Sequence, residues 1–319
     1  RGSRFGQSVS ISNNDAVFVG CPYYSSNPLV DLQEGAVFVF NNGTYSETIQ
    51  ASDVQQQDYF GWAVSCNGDG DRFVASSIDD DTTGVGLAVG SAYIFEYSGV
   101  WTQTHKLIAS DAQANSGFGW SVSLAKDADV IAIGSYKDDN TNGSQAGSVY
   151  SYILSGMSWV ESKILAPDGT DGDVFGFAVS LNACGNALAV TSLSFDYDYN
   201  ANSGKVYVFT YSGGWGDEFI FNNSLSETED NFGFSVSIAK DNSYVVAGAP
   251  ESKYVRIINL QTDCYELSVV CDSILSTSSS SSDSSDSSSS ESSSADDVIL
   301  IDNNGFVIID NYGNEILLE

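Results

Sequence analysis

Phe118-Gly119-Trp120-Ser121-Val122-Ser123 is the stretch that decides the fold, because it recurs. Phe-Gly-x-x-Val-Ser opens at Phe5, Phe60, Phe118, Phe175 and Phe232, at intervals of 55, 58, 57 and 57 residues. A self-similar period of this length marks a repeat architecture. Outward from Ser123 come a polar turn, Lys126–Asp129, and an apolar run, Val130–Ser135. Then follow a Gly-rich loop, the run Gly147–Ile153, the turn Ser155-Gly156, and Trp159–Leu165. These are four short β-branched and aromatic runs bounded by turn residues, which read as four strands.

The other copies fill the same slots. The second strand falls at Val17–Gly20, Phe73–Ser76, Val130–Gly134, Leu188–Thr191 and Tyr244–Gly248. An aromatic opens the fourth: Tyr45, Trp101, Trp159, Trp215 and Tyr265. No stretch sustains a helical period. Four antiparallel strands repeated five times predict an all-β fold, a β-propeller of four-stranded blades. We expect the ring to close between the Phe5 and Phe232 blades. Trp62, Trp120, Phe177 and Phe234 follow the Phe-Gly pair at one position, where the first copy has Gln7. They read as inter-blade packing. A stacking platform for sugars or bases is the alternative, and it requires exposure.

The pattern resembles the FG-GAP repeat of integrin α-subunit propellers, and most closely the microbial and marine type. Besides Phe-Gly, the Gly-Ala-Pro half stands at Gly248-Ala249-Pro250. It is nearly intact at Gly20-Cys21-Pro22 and eroded at Ser76-Ser77, Gly134-Ser135 and Thr191-Ser192. The resemblance runs from about Phe5 to Ser273. It implies a secreted or cell-surface protein that binds or adheres. The best-known ring of the family has seven blades, against five repeats here. The chain starts without Met four residues before the first repeat, which fits a matured form or part of a longer protein. Many family blades carry an Asp-x-Asp-x-Asp-Gly calcium loop, since alternating carboxylates gather hard oxygens. Here Asn67-Gly68-Asp69-Gly70-Asp71 is a partial match, so Asn67, Asp69 and Asp71 are the candidate Ca²⁺ ligands. A plain hairpin turn is the favoured reading.

Charge narrows the function. Eleven Lys plus Arg against 42 Asp plus Glu give a net charge of −31. Nucleic acid as a partner is excluded, because phosphate contacts need a basic stripe. No run reaches the ~20 apolar residues of a membrane helix, so direct membrane insertion is not expected. The acids concentrate in the loops between second and third strands, which predicts an acidic rim: Asp79, Asp80, Asp81, Asp138, Asp139, Asp196 and Asp198. Such a rim solvates the protein, or it meets divalent cations or a basic partner. Sequons at Asn42, Asn142 and Asn222 sit at expected turns and suit a secreted glycoprotein. The five cysteines lack zinc-type spacing and are expected to be mostly small core residues.

Composition divides the chain into a five-bladed propeller, residues 1–275, a disordered Ser/Asp-rich linker, 276–295, and a small β-meander, 296–319. That meander is apolar yet too small to be stable alone, so it needs a host. His105 stands without a second His, and no nucleophile motif is present. The chain is therefore read as a non-enzyme. It is an extracellular, cell-surface or virion-surface binding or adhesion propeller for a protein or glycan ligand. The alternative is a structural subunit of an extracellular filament or virion-like assembly, in which the C-terminal segment ties copies together.

Overall fold

Five β-sheets of four strands each follow one another along the chain, each in the order of a simple meander. In the computed structural model, residues 2–260 are described apart from 28, 30, 31, 82–85, 127, 128, 194–203, 223–230 and 252. Beyond them only the strands named below between residues 265 and 316 are described. The first blade is β1 (Ser8–Ile11), β2 (Ala16–Cys21), β3 (Ala36–Asn41) and β4 (Thr44–Ile49). The second is β5 (Val64–Cys66), β6 (Arg72–Ser77), β7 (Ser91–Tyr97) and β8 (Trp101–Leu107). The third is β9 (Phe118–Leu124), β10 (Val130–Ser135), β11 (Ser148–Ser155) and β12 (Ser158–Ile164). The fourth is β13 (Phe175–Leu181), β14 (Ala187–Ser192), β15 (Lys205–Tyr211) and β16 (Trp215–Asn222). The fifth is β17 (Ser235–Ile238), β18 (Tyr244–Ala249), β19 (Tyr254–Asn259) and β20 (Tyr265–Val270). A separate three-stranded sheet contains β21 (Val298–Asp302), β22 (Gly305–Ile309) and β23 (Glu315–Ile316). The expected linker, 276–295, lies outside the described residues.

Among the described residues the strands within each blade pair antiparallel, and the first strands β1, β5, β9, β13 and β17 succeed one another around the centre. The middle strands show why the blades must stack. β10 (VIAIGS) and β14 (ALAVTS) are buried along their whole length, so both faces of the sheet need apolar cover. One face of each blade meets the opposite face of the next. Phe18 and Val39 of blade one pack with Phe60, Phe73 and Tyr93 of blade two. Three further clusters join blades two to three, three to four and four to five. In each, the Phe of the Phe-Gly pair is sealed: Phe60 0%, Phe118 1%, Phe175 0% and Phe232 0% exposed.

Closure between the first and fifth blades differs from the sequence expectation. Among the described residues there are four inter-blade clusters, not five. Phe5 is 54% exposed, and Val9 and Ile11 of β1 are exposed with it. On blade five, Tyr244 and Val246 of β18 are also exposed. The faces that would meet are both uncovered.

Candidate functional site

The motif serine has a positional role. Ser10, Ser65, Ser123 and Ser180 each stand one blade before Cys66, Leu124, Leu181 and Ile238. Each hydroxyl accepts the backbone N–H of that residue, at 3.0, 3.0, 2.9 and 3.2 Å. These clasps hold the innermost strands around a central channel whose two mouths are chemically distinct.

One mouth is built by the turns between first and second strands. It holds a cavity of about 580 Å³ lined from every blade, by Asn13, Asn67, Asp69, Lys126, Ala183 and Lys240 among others. The turns are hydrogen-bonded to each other: Asn13 N–H donates to Gly68 O, and Gly68 N–H to Lys126 O. Lys126 Nζ reaches Ile11 O of the first blade at 3.1 Å. The sequence-predicted cation ligands lie here, but they do not converge on one point. Asn67 Nδ2 donates to Asp71 Oδ1 at 2.7 Å, and Asn67 Oδ1 accepts Arg72 N–H at 3.1 Å. Asp69 is exposed, and its backbone carbonyl accepts Asn14 Nδ2. The same bonds recur at Asn182, which accepts from Asn186 and Ala187 N–H and donates to Asn186 Oδ1. A turn closed by an amide donor does not fit Ca²⁺, which takes only oxygens. No group of three or more His, Cys, Asp or Glu side chains placed to hold a metal ion occurs among the described residues.

The opposite mouth carries the aromatics. Trp62, Trp120, Phe177 and Phe234 come from four successive blades and touch in series, with ring centroids 5.0, 5.7 and 5.4 Å apart. Tyr136, just after β10, lies 4.5 Å from Trp120 and 6.0 Å from Phe177. These rings do bridge blades, as expected, but they do not form the sealed core. Trp62, Trp120 and Phe177 are half-buried and Phe234 is exposed. In blades two to five the Phe of the motif seals the core, and the aromatic two positions on presents an arc of ring surface at the channel mouth.

The predicted acidic rim surrounds this mouth and needs correction. Asp80 and Asp138 are 1% exposed, not rim residues. Lys106 of β8 bridges Asp80 and Asp53, each at 2.7 Å, and Tyr93 Oη donates to Asp80. Blade three repeats the design. Lys163 bridges Asp138 and Asp111 at 2.7 and 2.6 Å, and Tyr150 Oη donates to Asp111. Each Tyr and Lys are cross-strand neighbours in register. In blade four, Asp168 takes Tyr207 Oη at 2.8 Å and Lys205 at 3.3 Å. Burial acts to raise the carboxyls of Asp53, Asp111 and Asp168, but the lysine and tyrosine contacts outweigh it and leave all three below their ordinary value. Burial drives Asp58 the other way, to about 6. In blade five the tyrosine position in the register holds Arg256, fully buried with its guanidinium 5.4 Å from the Phe232 ring. Sequence reading found the acids and missed Lys106 and Lys163. The signal was there, since each lies in register opposite the tyrosine of the third strand.

Asp79, Asp81 and Asp139 remain exposed. Asp81 accepts Ala88 N–H, and Asp139 accepts Gln145 N–H, so both also close their loops. Asp79 is raised by burial and by Asp81. Asp196 and Asp198 lie outside the described residues. Asn42 is exposed in a turn, whereas Asn142 Nδ2 donates to Ala166 O at 2.7 Å. Asn222 ends β16 rather than sitting in a turn. Cys21 and Cys66 are buried core thiols, and Cys184 is exposed; Cys264 and Cys271 lie outside the described residues. His105 pairs with Ile94 in register, and its buried Nδ1 has no hydrogen-bond partner. No described helix is long and apolar enough to cross a membrane.

Comparison with known proteins agrees with this geometry. Residues 45–95, 101–152 and 159–209 match the FG-GAP repeat. No match was found among curated proteins. Among solved structures, hydrazine synthase of Kuenenia stuttgartiensis is similar at 10% identity and TM-score 0.52, over 79% of this chain and 64% of that one. Virginiamycin B lyase of Staphylococcus aureus is similar at 10% identity and TM-score 0.50, over 82% and 68%. At this identity the likeness is one of fold.

Proposed function

This chain belongs to the FG-GAP repeat proteins, and on that premise we propose that it is a non-catalytic extracellular binding propeller. It engages a protein or glycan ligand at the aromatic mouth of its channel. The single observation that carries this reading is the half-exposed series Trp62, Trp120, Phe177 and Phe234, backed by Tyr136 and bordered by Asp79, Asp81 and Asp139. Aromatic faces stack on the apolar faces of sugars or on planar side chains, and the carboxylates then accept from hydroxyls or cations. Around this mouth the buried carboxylates Asp80 and Asp138 are tied to Lys106 and Lys163, an arrangement that supports binding over turnover. The open sequon at Asn42 and the net charge of −31 support an extracellular setting.

The test is a fluorescence titration, with tryptophan as reporter. The full chain is titrated with a neutral oligosaccharide series and separately with oligo-lysine. Saturable quenching by one series, lost at least tenfold in Trp120→Ala but kept in Trp159→Phe, supports the reading. If neither series binds, or if Trp120→Ala binds as well as the parent, the site is not there.

The second reading, a subunit of an extracellular or virion-like assembly, is favoured by one observation. The blade-one face is uncovered, and the C-terminal segment is an apolar sequence too short to form a core of its own. Light scattering on the full chain tests it: large species that disappear on truncation after Leu275 support it, and a monomer overturns it.

A further inference from the structure

The uncovered face of blade one is shaped to receive a neighbour. Gly6 has φ +85°, matching Gly61, Gly119, Gly176 and Gly233 at +84° to +92°. At those four glycines a Cβ would press against the preceding blade, whereas at Gly6 nothing lies within 4 Å. Phe5, Val9 and Ile11 extend the same face, at 54, 59 and 57% exposed. The opposite face of blade five is uncovered too. Val246 is exposed where its counterparts in the register, Phe18, Val74, Ala132 and Ala189, are fully buried.

These two faces do not simply close on each other. Blades one to four each carry a glycine just before the third strand: Gly35, Gly90, Gly147 and Gly204. A Cβ at any of them would run into the backbone of the next blade's Phe. Blade five has Lys253 there, at φ +57°, so the backbone shape is kept and a side chain is added. An incoming Phe-Gly pair is therefore obstructed, whether it is Phe5-Gly6 of this chain or of a second copy. The occupant of the gap must be an apolar sheet without that motif.

We propose that residues 298–318 of the same chain are that sheet, wedged between blades five and one as an abbreviated sixth blade. Val298-Ile299-Leu300-Ile301 and Phe306-Val307-Ile308-Ile309 are apolar at both parities. A strand of that kind presents apolar residues to both sides, as β10 and β14 do inside blades. β21, β22 and β23 form one meander, and β21 lies beside β20 of blade five. The connection 271–297 is about 27 residues and reaches roughly 30 Å, enough to pass from one blade to the next. Tethering gives an effective concentration on the order of millimolar, which favours this chain's own segment over a second copy at micromolar concentration. Charge agrees: the segment holds Asp302, Asp310 and Glu315 and no Lys or Arg, and the gap is edged by exposed Arg4 and Lys253.

Hydrogen exchange on the full chain, with size-exclusion light scattering, tests this. The parent should be a monomer with β1 amides protected, and Val307→Asp should cut β1 and β18 protection at least tenfold. Ser46→Asp, at an exposed position of β4, should leave β1 protection unchanged and serves as the control for a general charge effect. The proposal is overturned if β1 protection is equal in parent and Val307→Asp, or if both substitutions reduce it alike. It is also overturned if protection in the parent rises with concentration along with a dimer, which would place the segment on a second copy.

Discussion

Ser65 Oγ accepts the backbone N–H of Leu124 at 3.0 Å, across the boundary between the second and third blades. The bond gives the last residue of Phe-Gly-x-x-Val-Ser its purpose. Strand β9 is the innermost edge of its sheet, so part of its backbone has no ladder partner. The preceding blade supplies one from a side chain.

Ser65→Ala should therefore cost about 1–2 kcal/mol, the penalty for leaving a partly buried N–H unpaired. Ser180→Ala, which frees Ile238 N–H, should cost a similar amount, and the two should add, because these clasps lie at separate blade boundaries and share no strand. Urea midpoints at constant slope measure this. Unchanged midpoints would show that water takes over the bond.

Gly147→Ala should be the more damaging change. Its φ is +80°, and a Cβ there would meet the Phe175 backbone, so strain and collision combine to about 3 kcal/mol. Gly43→Ala, at φ +73° in open space, should cost only about 1 kcal/mol. Thermal melts of the pair check the difference, and equal losses would refute the close-approach argument.

Lys106→Met leaves Asp80, 2% exposed at its side chain, without its cation. Breaking such a pair from one side costs about 3–5 kcal/mol. Asp80→Asn added to Lys106→Met should restore much of that loss, as Tyr93 Oη can donate to the amide oxygen instead. A double-mutant cycle in urea reads the coupling. If the second substitution restores nothing, the lysine acts through its packing on Tyr93 and not through its charge.

Asp58 sets a pH dependence. It is 3% exposed and raised to about 6 by burial first. A carboxyl raised in the fold binds its proton more tightly there than in the unfolded chain. Its penalty is thus complete above pH 6 and vanishes below its ordinary value of 3.8. Asp58→Asn should stabilise by up to about 3 kcal/mol at pH 7 and by little at pH 4. Asp53, Asp111 and Asp168 are lowered, so their contribution is present above 3.8 and is lost as pH falls through their folded values. Melts from pH 3 to 8 check both signs, and an Asp58→Asn gain that is flat across that range would contradict the assignment.

The repeat itself was determined by sequence alone. Phe60, Phe118, Phe175 and Phe232 are sealed, the glycines beside them take positive φ, and four strands follow each, because these are local requirements of backbone shape and strand alternation that each copy writes out in full. Three things were decided only by the tertiary structure. It turned Asp80 and Asp138 inward onto Lys106 and Lys163, since a charge count along the chain does not say which acids a neighbouring strand neutralises. It brought Trp62, Trp120, Phe177 and Phe234 together at one mouth, because residues about 57 positions apart meet only when blades stack around an axis. And it left Phe5 exposed where its four counterparts are buried: the motif prescribes a face, but whether a neighbouring blade covers that face is decided by how the blades stack.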